Sequence, residues 1–394
     1  MPTPNRHSVR LSAVAERHVR RGHPWIYDQG IEKGPVDGKA GDLAIIFGRK
    51  SNKLVGIGLW DPHSPIRIKM LHQGKGVQID ETWFAQKIET AYQKRLPLLA
   101  SQTNGYRLIF GENDGLPGLI ADVYAHCLVI KIYSAVWFAY FDWIVPLLEA
   151  RAGTTITVLR FARRVQALTD IAEGTVLTGA IGETESVIFE EYGVRFHAYP
   201  VRGHKTGFFL DHRHNRREIG QRSAGKSVLD VFSYAGGFSV HALAGGARSV
   251  ISLDISRPAL AAAQQNAALN SHVGSYETVC ADAFDQLKGW AKAGKKFDLV
   301  IIDPPALAKK QSEVELALRK YAQLANLGAR LTDRRGLLML ASCSSRVDTE
   351  TFFRINRESL PDNFRLIENT AHDVDHPVGF PEGAYLKTGY YQHY

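Results

Sequence analysis

The chain is 394 residues long, 45% hydrophobic, and carries a net charge of +8, enough length for two or three domains with separate cores. No stretch approaches the roughly 18 uninterrupted apolar residues of a membrane helix, since Val129 to Val145 is broken by Lys131, Ser134 and Asp142, and the opening M-P-T-P-N-R-H-S-V-R has no apolar signal core; a cytosolic protein is therefore expected. Three scattered cysteines, Cys127, Cys280 and Cys343, argue against a disulfide framework and against a zinc cluster.

Residues 1–75 hold 13 Lys/Arg against 6 Asp/Glu, so +7 of the +8 lies there. Phosphate-backbone binding uses such a concentration, although a solvated basic surface would look the same. Strand-like runs at Asp42 to Phe47, Leu54 to Leu59 and Ile66 to Leu71, separated by Gly and Pro turns, predict a small β-rich domain. Ahead of them, R-R-G-H-P-W-I-Y mixes cations with aromatics, a composition suited to RNA phosphates and exposed bases; Trp25 is expected in the core.

A second domain is expected over 76–190. Phe84, Ile88 and Tyr92 recur at helical spacing, with Asp80 as N-cap and Pro97 placed just past the end. Strands follow at Tyr106 to Phe110, Leu119 to Tyr124 and Cys127 to Tyr133, then a helix over Trp137 to Ala150 and a strand over Thr155 to Phe161, an α+β pattern. Glu185 to Tyr199, centred on Gly193, predicts a hairpin leading into the last domain, 191–394.

From there strands alternate with helices: Ser227 to Val231, Val250 to Asp254, Tyr276 to Cys280, Leu299 to Asp303 and Leu337 to Ser342. Alternation predicts a parallel sheet covered on both faces, with ligands at the strand carboxyl ends. Asp230, Asp254, Asp282, Asp303 and Cys343 all fall at such ends. The first turn, S-Y-A-G-G-F, lacks the G-x-G-x-x-G that seats a pyrophosphate, which weakens a dehydrogenase reading. Asp230 would repel a pyrophosphate but suits the ammonium and sulfonium charges of S-adenosylmethionine. Gly236 and Gly237 allow close backbone approach, and Asp254 can accept from two ribose hydroxyls. Asp282 can serve adenine, cap the next helix, or both.

Two chemistries compete for the fourth and fifth strand ends. Asp303-Pro304-Pro305 is the arrangement of enzymes that methylate exocyclic amines, but Ala306 stands where those carry a stacking aromatic. Cys343 suits carbon methylation instead: a thiolate adding to carbon-6 of cytosine makes carbon-5 nucleophilic. A buried, structural thiol is the plainer alternative. A third reading is an RNA-binding assembly factor with a vestigial pocket, against which the intact Asp230, Gly-Gly and Asp254 set argues.

Several motifs in order, R-R-G-H-P-W, R-L-I-F-G-E-N-D-G-L-P-G-L-I-A-D-V-Y, H-K-T-G-F-F-L-D-H-R, D-H-P-V and P-E-G-A-Y-L-K, resemble the PUA-domain-containing class I methyltransferases that make 5-methylcytosine in 23S ribosomal RNA. The resemblance spans nearly the whole chain. It implies an α/β multidomain protein: a PUA-like domain at 1–75, a central α+β domain at 76–190, a Rossmann-like methyltransferase domain at 191–394, and a homodimer. It also implies that Lys205, Thr206, Gly207, Asp211 and Arg213 line the cofactor site. S-adenosylmethionine would be held by the stretch containing Asp230, Phe232, Ser233, Tyr234, Gly236 and Gly237, together with Asp254, Asp282, Asp303 and Pro304. Cys343 would be the nucleophile, and Asp303 is a candidate base. No second cysteine accompanies Asp303, unlike many 5-methylcytosine enzymes. His372, Asp373, Asp375 and His376 have ligand-like chemistry, but the matching D-H-P-V of the family is not a metal site, and the segment is read as a loop with no metal expected.

Overall fold

The computed structural model describes residues 4–394; the first three residues of the N-terminal segment lie outside it. Two compact units emerge: Met1–Glu190 with Ala198–Leu210 and Val374–Pro381, and Glu191–His197 with Asp211–Asp373 and Glu382–Tyr394.

The first unit contains two sheets. The N-terminal one has six strands, ordered Trp25–Tyr27, Ile66–Gln73, Leu54–Trp60, Leu43–Phe47, Arg6–Leu11 and Ile31–Lys33, around a core that includes Val9, Ile26, Ile46 and Ile68. Short strands such as Trp25–Tyr27 carry too few residues to show alternation in the sequence. Trp25 is half-buried rather than core, because its indole N–H donates to Glu112 Oε1 at 2.8 Å and its ring meets Phe380 edge-on. The second sheet runs Thr175–Thr178, Ile156–Phe161, Cys127–Ile132, Leu119–Tyr124, Gly105–Phe110.

Asp80 caps the helix Glu81–Leu99 by accepting from Trp83 N–H. Pro97 lies inside that helix, not beyond it; its fixed φ is helical, and near the end of a helix it removes only one hydrogen bond. The expected helix at 137–150 divides into a 3-10 turn, Ala135–Tyr140, and a helix, Phe141–Ala152. The division lets Trp137 donate to Pro117 O and Tyr140 to Gly41 O, so that both large rings are buried with their polar atoms satisfied. The hairpin forms as read, Val187–Glu191 against Val194–Ala198, with Tyr192 and Gly193 both at positive φ as a tight two-residue turn requires.

The second unit holds one sheet, whose strands are numbered here within the unit: β1 (Ser227–Val231), β2 (Ser249–Asp254), β3 (Ser275–Cys280), β4 (Phe297–Ile302), β5 (Thr332–Ser342), β6 (Phe364–Thr370) and β7 (Lys387–His393). Their order is β3-β2-β1-β4-β5-β7-β6, parallel except for β7, which runs antiparallel to both neighbours. The helices are α1 (Arg213–Gln221), α2 (Gly237–Ala244), α3 (Arg257–Ala268), α4 (Ala283–Lys292), α5 (Val314–Leu331) and α6 (Thr349–Ser359). Buried strands read as continuous apolar runs because both faces are covered: Leu229, Val231, Val300, Ile302, Leu338 and Leu340 join one core with α5 residues Tyr321, Leu324 and Leu331. A side chain at Gly328 would stand 2.7 Å from Leu338 and 2.8 Å from Ile302, so glycine sets how closely α5 approaches the sheet.

An ion cluster is buried in this unit. Arg216 donates to Glu191 through Nε and Nη2 at 2.9 and 2.5 Å, with Arg213 Nε at 3.8 Å and His241 Nε2 at 3.7 Å. Burial pushes the Glu191 carboxyl up, but Arg216 and His241 outweigh it and hold it at about 2. A depressed carboxylate contributes its stability above its ordinary value of 4.5 and loses it as pH falls toward 2. Glu191→Gln should therefore lower unfolding free energy by about 3–5 kcal/mol at pH 7. Denaturant titrations should show the gap to wild type narrowing between pH 4.5 and 2; a gap constant with pH would contradict this account.

Candidate active site

The site is built from the carboxyl ends of β1, β2, β4 and β5. Val231 pairs with Leu253 on one side and Ile302 on the other, so Asp254 and Asp303 follow at matching heights on either side of the turn that leaves β1. That turn, 232–236, winds through left-handed backbone at Phe232, Tyr234 and Gly236. Positive φ is costly for Phe and Tyr, and the surroundings impose it: Asp254 Oδ2 accepts Tyr234 N–H at 2.9 Å, Asn266 Nδ2 donates to Ala235 O at 2.9 Å, and Phe232 N–H donates to Leu253 O at 2.9 Å. Asp254 Oδ1 accepts Ser256 N–H at 2.8 Å. A Cβ at Gly236 would stand 2.8 Å from Ala263, and one at Gly237 2.9 Å from Arg216, so these glycines admit protein neighbours to the turn.

Asp230 is 1% exposed. Its Oδ2 accepts from Ser239 N–H and Oγ–H at 3.1 and 2.7 Å, while Oδ1 has no partner. Burial pushes this carboxyl up to about 7, against the Ser239 hydrogen bonds, with the charges of Asp303 and Asp254 adding to the rise. A buried carboxylate oxygen without a partner, beside two more acids, is electrostatically unsatisfied. The ammonium and sulfonium charges of S-adenosylmethionine would satisfy it, and a pyrophosphate would not. The unpartnered Ser233 Oγ in the same turn is a further polar atom open to a ligand. The donor set fits S-adenosylmethionine.

Cys343 follows β5 and is half-buried, its Sγ 3.9 Å from Pro304 O. The Asp303-Pro304 turn and the cysteine therefore share one place. Pairing of β5 with β7 sets Lys387 opposite Ser342. From there the lysine, 2% exposed, donates to Ser344 O and Val347 O, both at 2.6 Å. Burial pulls this ammonium down to about 8, opposed by the charges of Cys343 and Asp348. Ser344 Oγ donates to Ala308 O, and Tyr321 Oη meets Ser342 Oγ at 2.8 Å, so the segment around the thiol is held at several points. Lys387, Tyr321 and His212 were not singled out from the sequence, and only the motif positions L-D-H-R and Y-L-K hinted at two of them.

The remaining expected residues are distributed as follows. Asp282 caps α4, accepting Asp285 N–H at 3.1 Å, and is exposed. Asp211 accepts from Tyr385 Oη at 3.0 Å, and Arg213 is buried against Glu191 and Asp373. Lys205, Thr206 and Gly207 belong to the first unit, where Thr206 Oγ donates to Asp122 Oδ2 and meets Tyr124 Oη. His372 and Asp373 lie in the second unit and Asp375 and His376 in the first; Asp375 bonds His376 and Arg107 N–H, while His372 accepts Leu386 N–H. No helix among the described residues is long and apolar enough to cross a membrane.

Residues 156–342 match the family model of S-adenosylmethionine-dependent methyltransferases, and residues 9–73 match that of PUA-like domains. The chain is 40% identical to a ribosomal RNA large subunit methyltransferase of Deinococcus radiodurans, over 98% of this chain and 97% of the relative. It is 35% identical to the ribosomal RNA large subunit methyltransferase I of Aeromonas salmonicida, over 94% and 96%. The fold is that of a SAM-dependent methyltransferase from Streptococcus mutans, at TM-score 0.81 and 21% identity over 98% of this chain and 99% of that one, and of a methyltransferase complexed with SAH, at TM-score 0.82 and 21% identity over 98% and 100%. With an α/β catalytic unit, a PUA-like N-terminal domain and near full-length identity to these relatives, the chain belongs to the family of S-adenosylmethionine-dependent ribosomal RNA large subunit methyltransferases.

Proposed function

We propose that this protein forms 5-methylcytosine in the 23S RNA of the large ribosomal subunit, in the cytosol and as a homodimer, with Cys343 as nucleophile. The observation that carries the reading is the thiol at the β5 end, 3.9 Å from the Asp303-Pro304 turn and within the field of the buried Lys387 ammonium. S-adenosylmethionine supplies the methyl group as an electrophile. Asp211, Arg213, the stretch 230–237, Asp254, Asp282, Asp303 and Pro304, all of the second unit, are the residues proposed to hold it. Asp254 anchors the β1 turn through Tyr234 and keeps lone pairs for ribose hydroxyls.

In this mechanism the Cys343 thiolate adds to carbon-6 of cytosine, and carbon-5 then carries enough electron density to attack the methyl group. Lys387 favours the thiolate by its charge and holds the carbonyls after it in place. Asp303 receives the carbon-5 proton, and the thiolate leaves as the ring double bond re-forms. PUA-like residues contribute RNA affinity through their excess positive charge. Base-amine methylation by Asp303 is the competing reading; Ala306 provides no stacking ring for it.

Asp254→Ala should weaken S-adenosylmethionine binding by about 1.5–3 kcal/mol, roughly ten- to a hundredfold, as loss of charge-assisted hydrogen bonds does; calorimetry giving unchanged affinity would remove Asp254 from the site. Cys343→Ala should bind cofactor and RNA as wild type does yet lose turnover by about three orders of magnitude or more. RNA carrying 5-fluorocytosine should trap the wild type covalently, because fluorine cannot leave as a proton does. Mass spectrometry of ribosomal RNA from a deletion strain should show one missing 5-methylcytosine; a missing N-methylated base, with Cys343→Ala still active, would establish the amine chemistry instead.

A further inference from the structure

His212 is 5% exposed and immediately precedes α1. Its Nδ1 lies 3.0 Å from Asn215 Nδ2. That amide is held from three directions: Oδ1 accepts from Thr370 Oγ1 at 2.5 Å and Tyr390 Oη at 2.9 Å, and Nδ2 donates to Thr388 Oγ1 at 3.2 Å. With the oxygen engaged by two hydroxyls, the nitrogen faces the imidazole and can only donate. Ring Nδ1 is then the acceptor, and the ring proton resides on Nε2.

Nε2 stands 3.4 Å from Asp303 Oδ1, short of a full hydrogen bond, and has no other partner. A histidine serving only the core would have both nitrogens satisfied; here four residues fix one nitrogen and the other is left directed at the carboxylate next to Cys343. Desolvation disfavours the imidazolium, the Asp303 charge outweighs it, and Asp211 adds to the rise while Arg216 opposes it, so the ring's affinity for a proton is raised. Asp230, Tyr321 and the Phe238 ring complete the surroundings of the pair. Either protonation state presents an N–H to Asp303.

We infer that His212 is the positioning residue of Asp303, its Nε2–H holding one carboxylate oxygen so that the other is aimed at carbon-5 of the methylated base. The inference rests on the proposed carbon-methylation reading. In the step concerned, the carbon-5 C–H bond breaks toward Asp303, its electron pair re-forms the carbon-5 to carbon-6 double bond, and the carbon-6 to Sγ bond breaks to return Cys343 as thiolate; Asp303 then yields the proton to solvent. Hydrogen bonds of this kind are loose without substrate and tighten when it is engaged.

The consequence is specific to the last half of the reaction. His212→Leu should lower turnover on large-subunit ribosomal RNA about a hundredfold, the scale on which general bases contribute, while S-adenosylmethionine affinity stays within about twofold of wild type. Because methyl transfer precedes the impaired step, the variant should accumulate a covalent protein–RNA adduct on ordinary, unfluorinated RNA, visible on denaturing gels and absent in wild type. His212→Gln, which keeps an N–H donor, should recover most of the turnover and lose the adduct. Near-normal turnover in His212→Leu, or slow turnover without adduct, overturns the inference. If wild type itself fails to form an adduct with 5-fluorocytosine RNA, the carbon-methylation reading fails first, and the two failures are told apart by that control.

Discussion

Parallel pairing of β1 with two neighbours at once is the constraint on which this site depends. Val231 lies level with Leu253 and Ile302, and hydrogen-bonded strands cannot slip by one residue without turning every side chain to the other face. The same register that buries Leu229, Val300 and Ile302 therefore sets Asp254 and Asp303 on either side of the turn after β1, with Asp230 buried below it. Three acids are brought together by apolar packing rather than by any attraction among themselves. Burial and the charges of Asp303 and Asp254 together raise the Asp230 carboxyl, and a ligand carrying positive charge would relieve that strain.

A second feature follows from the antiparallel insertion of β7 between β5 and β6. It sets Lys387 across from Ser342 and drives an ammonium into a nearly dry space, where burial works against its charge. Two carbonyls at 2.6 Å compensate for the lost water. The same two bonds shape the segment after Cys343, so one side chain sets both the backbone and the electrostatic field of the thiol. Leucine or methionine there would relieve the desolvation but leave the two carbonyls without a donor.

Buried ion pairs carry a different burden in the second unit. Glu191, Arg216, Arg213 and His241 come from the hairpin, α1 and α2, and such a cluster contributes little net stability compared with apolar packing but is costly to break. Arg213 shows how a residue matched to a cofactor-lining motif can also be a structural pair: its guanidinium lies fully buried against Glu191 and Asp373. Arg216, three residues beyond that motif and one turn along α1, packs into the space that Gly237 leaves.

Much of this was legible from the chain alone. Period-two and period-3.6 patterning, with Asp80 and Asp282 in capping positions, located the central strands and helices, because backbone hydrogen bonding and burial act over a few neighbouring residues. The acids and the cysteine at strand ends were legible for the same reason, since a strand's carboxyl end is a local property. Edge and very short strands such as Trp25–Tyr27 and Phe364–Thr370 were not, having too little alternation to read. Pro97 kept a helical φ where a breaker was expected. What tertiary structure alone decided was which distant groups meet: Lys387 beside Cys343, Thr370 and Tyr390 on the Asn215 amide behind His212, and His212 beside Asp303. These contacts join residues tens to more than a hundred positions apart, and they are set by strand order and helix packing. No local propensity in a single sequence encodes them.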